Sequence, residues 1–293
     1  MHRLSAGGDP VKVVIFCGGQ GLRMRAASAA SPRPIPKPMI PIGGRPILWH
    51  VMRYYAHFGF TDFVLCLGYH AEAIRSYFLG AEAIAGPPTD DVTAANGSCA
   101  GNGNGNGSAH QLTVGFHGWR VTLADTGLDA SVGQRLRSVR HLLRDEETFL
   151  ANYGDTLTDA DLPAMISRAR LAEAPASLLA VRPNQSFHVV SMNGGGRVRG
   201  LLDAASSGLW INGGYFVLRN ELLDELGPDE DLVDVFHRLA ADDRLLAQRH
   251  EGFWAPMDTF KDRQLLDGLH DSGRAPWQVW NADRHDALSV AAG

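Results

Sequence analysis

The residues best suited to chemistry fall in a few short stretches. Gly18-Gly19-Gln20-Gly21-Leu22-Arg23 sets glycines, whose backbone amides can approach a phosphate closely, just ahead of a guanidinium. In Pro34-Ile35-Pro36-Lys37-Pro38-Met39 three prolines stiffen the chain around one lysine and fix where its ammonium points. The two cations together suit a polyanion better than either does alone. Asp155 and Asp258 lie about a hundred positions apart. Each by itself is a turn-former or a helix cap; brought to one edge, the pair could hold a Mg²⁺ ion whose other sites are filled by phosphate oxygens. The glycine loop is not a dinucleotide fingerprint, because Met24 stands where the third glycine would be. Nor is it a Walker loop, because no Gly-Lys-Ser/Thr follows. A hydride-transferring dehydrogenase is thereby excluded.

These residues need a frame that presents them together, and the chain supplies an alternating α/β pattern. Lys12 to Cys17 is a nearly continuous apolar run that stops at the glycines, as a buried parallel strand does. A helix follows over 47–58, a strand over 63–67 and a helix over 71–78. Further on come a strand at 121–123, a helix over 134–143 and the strand 148–153, which ends at Gly154-Asp155. Strands and helices in turn predict a doubly wound sheet with right-handed crossovers, and function at the carboxyl ends of its strands. Beyond it the pattern gives a helix over 162–172, a strand over 177–181, a hairpin over 189–202 turning at Asn193-Gly194-Gly195-Gly196, a strand over 215–218 and helices over 232–241 and 260–269. The stretch 253–259 is expected to be irregular.

Between 81 and 110 the composition collapses into Gly, Asn, Ala, Pro and Thr, which predicts a flexible surface loop inside one domain spanning 11–280. Residues 1–10 are expected to be disordered and 281–293 to form a tail. Against 27 Lys and Arg stand 32 Asp and Glu, a net charge of −5, which gives no footprint for nucleic acid or an anionic membrane. No apolar run approaches a membrane span. Cys17, Cys66 and Cys99 are an odd set without metal-type spacing, so neither a disulfide framework nor a zinc site is expected and a cytoplasmic location fits. Cys17, beside the loop, reads as core packing rather than as a nucleophile.

With those motifs in view, the chain resembles the sugar-1-phosphate nucleotidylyltransferases. The resemblance rests on Gly18-Gly19-Gln20-Gly21-Leu22-Arg23, Pro36-Lys37-Pro38-Met39, Tyr153-Gly154-Asp155, Ile211-Asn212-Gly213-Gly214-Tyr215-Phe216 and Gly252-Phe253-Trp254-Ala255-Pro256-Met257-Asp258-Thr259, in the family's order and approximate spacing. Pro46-Ile47-Leu48-Trp49-His50, Asp125-Thr126-Gly127, Gly133-Gln134-Arg135 and Ala275-Pro276-Trp277 bring it nearest to the glucose-1-phosphate cytidylyltransferase branch.

The resemblance implies a Rossmann-like nucleotidyltransferase core: a mostly parallel mixed sheet, helices on both faces and a small sugar-binding subdomain. It also implies an enzyme in which a sugar-1-phosphate oxygen attacks the α-phosphorus of a nucleoside triphosphate, CTP by the branch, releasing pyrophosphate and an NDP-sugar. On that basis Gly18, Gly19, Gln20, Gly21, Leu22, Arg23, Arg135 and Gly154 would bind the nucleotide, with Arg23 and Lys37 catalytic. Tyr153, Asp203, Asn212 and Gly213 would bind the sugar phosphate, and Asp155 and Asp258 would bind Mg²⁺ as cofactor. A cytoplasmic homo-oligomer is implied as well. No nucleophilic side chain is required, since the attacking phosphate is already ionised near neutral pH.

The family usually carries Glu-Lys-Pro ahead of the Ile-Asn-Gly-Gly motif, whereas this chain reads Leu201-Leu202-Asp203-Ala204-Ala205-Ser206-Ser207, without a lysine. The alternatives are therefore a different triphosphate, a deoxysugar or cyclitol phosphate as acceptor, or a catalytically weakened protein that binds a nucleotide sugar. His188 could contact such an acceptor or be an ordinary strand-edge histidine.

Overall fold

The structure, a computed structural model, describes residues 11–19, 35–80, 111–184 and 187–281. The expected tail and disordered N-terminus, the Gly/Asn-rich loop, and Gln20, Gly21, Leu22 and Arg23 lie outside the described residues.

In chain order the elements are β1 Val13–Phe16, β2 Pro41–Ile42, β3 Arg45–Pro46, α1 Ile47–His57, β4 Asp62–Leu67, α2 Ala71–Gly80, β5 Gln111–Phe116, β6 Trp119–Asp125, α3 Val132–Val139, β7 Thr148–Tyr153, β8 Thr156–Thr158, α4 Leu162–Leu171, β9 Ala176–Val181, β10 His188–Met192, β11 Val198–Asp203, β12 Ile211–Arg219, α5 Leu222–Glu225, α6 Leu232–Ala241, β13 Leu245–His250, β14 Trp254–Pro256 and α7 Phe260–Asp271. Eight strands form one mixed sheet in the order β13-β9-β12-β7-β1-β4-β6-β5. Its pairings are parallel except for β12 against β7 and β9, and β5 against β6.

Alternation along β1 explains the layers. Val13 and Ile15 point to one face, where they pack with Val51 and Tyr55 of α1 and Ile74 of α2; Val14 and Phe16 point to the other, with Leu136 of α3 and Val235 of α6. Both faces are covered, which is why β1 and β4 are apolar at nearly every position. The α/β class, the mixed sheet and the two helical layers are therefore as expected.

The chain leaves β1 for β4 on one side and returns to β7 on the other. The ends of β1 and β7 thus flank a topological switch point, where such sheets leave a crevice. β12 runs antiparallel to β7, so its first residues reach the same edge.

Strands β2, β3, β5, β8 and β13 and the short helix α5 were not expected, and three other segments differ from the expectation. Residues 254–256 form a strand, β14, because they pair antiparallel with β8. The strand expected at 215–218 runs from Ile211, with a register irregularity between Asn212 and Phe216. Helix α3 begins two residues earlier than Gln134, because Ser131 caps it: its side chain accepts from the Gln134 amide while the Gln134 side chain accepts from the Ser131 amide.

Candidate active site

A cavity of about 530 Å³ opens at the switch point. Gly18 and Gly19 line it from the end of β1, Tyr153 and Asp155 from the end of β7, and Asn212 and Gly213 from the start of β12; Lys37 and Asp258 complete its charged edge.

Lys37 opens a short 3-10 turn, Lys37–Met39, between Pro36 and Pro38. Its ammonium is ion-paired with Asp155 at 2.6 Å, from Nζ to Oδ2, and with Oδ1 of Asp258. Burial alone would lower the pKa of this ammonium, but the two carboxylates outweigh burial and hold it above its ordinary value. Lys37 therefore stays charged across the neutral range.

The two acids meet through a ladder. β14 pairs with β8 so that Pro256 lies opposite Thr156, and the next amide, that of Met257, donates to the Asp155 carbonyl at 2.9 Å. Asp258 is then turned by the cap of α7, where Asp262 Oδ2 accepts from the amides of Asp258 and Thr259 and the Thr259 hydroxyl accepts from the Asp262 amide.

Two carboxylates sharing one ammonium leave a negative charge over and present hard oxygen donors. Among the described residues no group of three or more His, Cys, Asp or Glu could cage a metal. This donor set suits Mg²⁺, which is commonly bound by one or two carboxylates together with substrate phosphates and water.

Arg135 is placed differently from what its expected role suggested. Only 4% of it is exposed, and although it lines the cavity its terminal nitrogens are already engaged. Nη1 donates to Leu67 O, Thr126 Oγ1 and Gly127 O at 3.1, 2.7 and 2.9 Å, and Nη2 to Gly18 O and Leu128 O at 3.2 and 3.3 Å. The guanidinium thus fastens the glycine turn to the ends of β4 and β6. A Cβ on Gly18 would lie 2.1 Å from Arg135 Nη1, so glycine is required there by this packing.

Gly154, unlike Arg135, is not in the cavity lining. A Cβ there would come within 3.2 Å of Cys17 Sγ and Phe16 O, so its role in this structure is to let β7 lie close against β1. Cys17 lines the cavity floor, where burial pushes its thiol pKa well up, as befits packing rather than nucleophilic attack.

On the β12 side, Asn212 Oδ1 accepts from the Gly214 amide at 2.9 Å, which leaves its Nδ2 to donate. Trp254 Nε1 donates to Gly213 O at 2.8 Å. Gly214 has φ +77°, and a Cβ there would strike the Tyr153 ring at 2.4 Å. Asp203 is not brought to this site: it lies on β11, exposed and 3.2 Å from His188 Nε2, and neither residue lines the cavity.

The structure adds residues that sequence reading missed. Ser131, Val132 and Asp231 line the wall by α3, and Thr156 and Trp254 line the wall by β8. The Ser131-x-x-Gln134 capping pattern was a readable signal for the first wall. Trp254 stands in the motif that ends at Asp258-Thr259, but its place in the wall depends on pairing with a strand far away in the chain.

A cavity at the strand ends of such a sheet places the chain among the α/β proteins that take their ligands at a switch point. Comparison with known proteins narrows the class. The profile of the Nucleotidyl transferase family matches residues 12–259. The glucose-1-phosphate cytidylyltransferases of Salmonella typhimurium and Salmonella typhi are each 35% identical over 287 residues, covering 92% of this chain and all of theirs. The UDP-glucose pyrophosphorylase structure from Acinetobacter baumannii superposes with a TM-score of 0.59 at 17% identity, over 96% of this chain and 99% of that one, which shows a shared fold. The chain belongs to the nucleotidyl transferase family, and it is an enzyme of that family.

Proposed function

We propose that the protein transfers CMP from CTP to a sugar-1-phosphate, forming a CDP-sugar and pyrophosphate. The observation that carries this reading is the Asp155–Lys37–Asp258 constellation, set at the mouth of a cavity between the Gly18-Gly19 turn and Asn212. The likeness to two glucose-1-phosphate cytidylyltransferases along their whole length supports cytosine as the base.

In this reading the acceptor phosphate oxygen forms a bond to the α-phosphorus as the α–β bridging bond breaks, and the pair of electrons leaves with pyrophosphate. The chain need only position the two phosphates in line and meet their charge. Lys37 supplies positive charge at the α-phosphate, and Asn212 Nδ2 offers a donor to a sugar hydroxyl. Arg23 would add a second cation, and the glycine turn through Gln20, Gly21 and Leu22 would cradle the triphosphate. Asp155 and Asp258 would hold Mg²⁺, which when bound neutralises charge on phosphate oxygens. Arg135 keeps the glycine turn in place. A cytosolic location belongs to the same reading; among the described residues no helix is long and apolar enough to cross a membrane.

One observation favours a different acceptor for the same chemistry. Asp203 lies outside the cavity, and the segment 201–207, which contains no lysine, does not line it. A deoxysugar or cyclitol phosphate then becomes a natural substitute for glucose-1-phosphate.

Mass-spectrometric product detection with Mg²⁺, the common nucleoside triphosphates and a panel of sugar-1-phosphates tests both readings. A CDP-glucose peak supports glucose-1-phosphate; a CDP-sugar from another acceptor only supports the substitute. Binding of nucleotide without pyrophosphate release, by protein shown to be folded, would leave a nucleotide-sugar binder and overturn the catalytic proposal.

A further inference from the structure

Two arginines converge on one indole beside the candidate site. Arg182 Cζ lies 3.9 Å from the centroid of the Trp210 ring, and Arg249 Cζ lies 5.5 Å from it. The strand pairings bring them there. Ile211 pairs with Val181 and Asn212 with Ala180, so Trp210 and Arg182 meet just where β12 begins and β9 ends; on the other side of β9, Arg249 of β13 lies opposite Ala180. Residues directly opposed across a sheet share a face, and so do residues two apart along a strand. Asn212, Ala180 and Arg249 therefore form one row across three strands, and Trp210 with Arg182 forms the next row on the same face. Within the first row only the methyl group of Ala180 stands between the Asn212 and Arg249 side chains.

The charge of this corner is not balanced. Arg182 faces Glu251 at 3.8 Å, from Nη2 to Oε1, with the Glu251 side chain 74% exposed, and its Nη1 donates to Leu209 O at 3.3 Å. A long, exposed ion pair of this kind contributes little. Arg249 has no carboxylate partner among the described residues. Two guanidiniums held over one ring, with a single distant carboxylate between them, suit an oxyanion from a ligand. Stacking on an aromatic face and a planar fork of donors are the means by which arginine fixes a carboxylate or a phosphate.

Their place in the sheet says which part of a ligand they meet. Asp155 follows the end of β7 and Arg182 the end of β9, with β12 between the two strands, so the two residues stand about two strand spacings apart, roughly 10 Å. Asn212, on β12, lies between them. Neither arginine lines the cavity; both stand beyond Asn212, on the side away from Asp155. An acceptor with its 1-phosphate at Lys37 lays its ring past Asn212 and turns its far end toward the two guanidiniums. We infer, resting on the transferase reading above, that the acceptor is a sugar-1-phosphate with a second anionic group, a carboxylate or a phosphate ester, at the end remote from its 1-phosphate, and that Arg182 and Arg249 receive that group.

Kinetics on the full chain with CTP and Mg²⁺ test this by comparing glucose-1-phosphate with glucuronic acid 1-phosphate and glucose 1,6-bisphosphate. At least one of the two charged acceptors should be used with kcat/KM about tenfold or more above that of glucose-1-phosphate, and which one tells carboxylate from phosphate. Arg249→Gln removes a guanidinium that is in no ion pair among the described residues. It should lower kcat/KM for the favoured acceptor by about ten- to a hundredfold, through KM, as the loss of one or two charge-assisted hydrogen bonds does, with KM for CTP unchanged. Glucose-1-phosphate used as well as both charged acceptors overturns the inference and leaves the transferase reading standing; so does a variant that loses all three acceptors equally. If no acceptor yields product, it is the transferase reading that fails. Titration calorimetry of the same three compounds into protein saturated with a non-cleavable CTP analogue then decides: tighter binding of a charged compound, abolished in Arg249→Gln, supports the inference, and equal binding of all three overturns it.

Discussion

The amide of Met257 donates to the carbonyl of Asp155 at 2.9 Å, and this one backbone bond, next in line after the pairing of Pro256 with Thr156, sets the two acids of the site side by side. The acids owe their proximity to main chain, so a change at either carboxylate leaves the bond in place. Side chain and scaffold can therefore be tested separately.

Lys37 is the first test. Replacing it with alanine removes the charge between the carboxylates but no part of the apolar core. Lys37→Ala should lose about 10²–10³-fold in kcat, the usual cost of deleting one preorganised charge donor, while its thermal transition stays close to that of the wild type. Turnover like the wild type's would remove Lys37 from the mechanism.

Asp155→Asn and Asp258→Asn test the metal reading. Each keeps the size of the side chain and leaves the Met257 amide bonded. Each should weaken the Mg²⁺ dependence of turnover, and Mn²⁺ binding followed by electron paramagnetic resonance, by at least about tenfold. Because both carboxylates would serve one ion, the double variant should be little worse than the poorer single one. Effects that simply add would show that the two residues act apart.

How far the sequence disclosed this arrangement can be judged from particular residues. Lys37, Asp155, Asp258, Asn212 and Gly213 were legible because each sits in a short motif, and the structure gathers them at one cavity. Asp203 was read from the place of the family's Glu-Lys-Pro, and that position in the chain says nothing about the direction of the β10–β11 ribbon that carries it, which sets it beside His188 and outside the cavity lining. Arg135 was read as a ligand contact because a pattern does not reveal five oxygens converging on its terminal nitrogens. β13, Leu245–His250, went unread because it is an edge strand of mixed polarity, defined by its parallel pairing with β9. In each case the missing information was a contact that only the folded chain makes.

Gly18 and Gly19 look equivalent in sequence and should behave differently. A Cβ on Gly18 would meet the Arg135 guanidinium at 2.1–2.2 Å, and five hydrogen bonds hold that group in place, whereas a Cβ on Gly19 meets nothing within 4 Å. Gly18→Ala should therefore cost about 2–4 kcal/mol through overpacking and lost hydrogen bonds, and Gly19→Ala less than ~1 kcal/mol. Urea denaturation of both variants checks the contrast; equal losses would show that Arg135 swings aside freely.

The last prediction concerns pH. His50, on helix α1, is only 2% exposed, and its ring packs against Trp277 and Trp280 of the C-terminal segment. The indole of Trp277 can only donate, so its Nε1, 3.3 Å from His50 Nδ1, makes that nitrogen the acceptor; His50 Nε2 then carries the proton and donates to Ile42 O at 3.0 Å. The ring is thus fully satisfied while neutral, and burial lowers its pKa from 6.5 to about 4. An unfolded chain binds this proton more readily than the folded one between those two values. The neutral ring's contribution is therefore complete above pH 6.5 and is lost as pH falls toward 4, by roughly 3 kcal/mol in all. His50→Gln can accept from Trp277 and donate to Ile42 without titrating. It should be less stable than the wild type at pH 7 yet lose less stability on going to pH 5, as read by urea midpoints at the two pH values. Identical pH slopes for the two proteins would show that His50 does not carry the acid sensitivity.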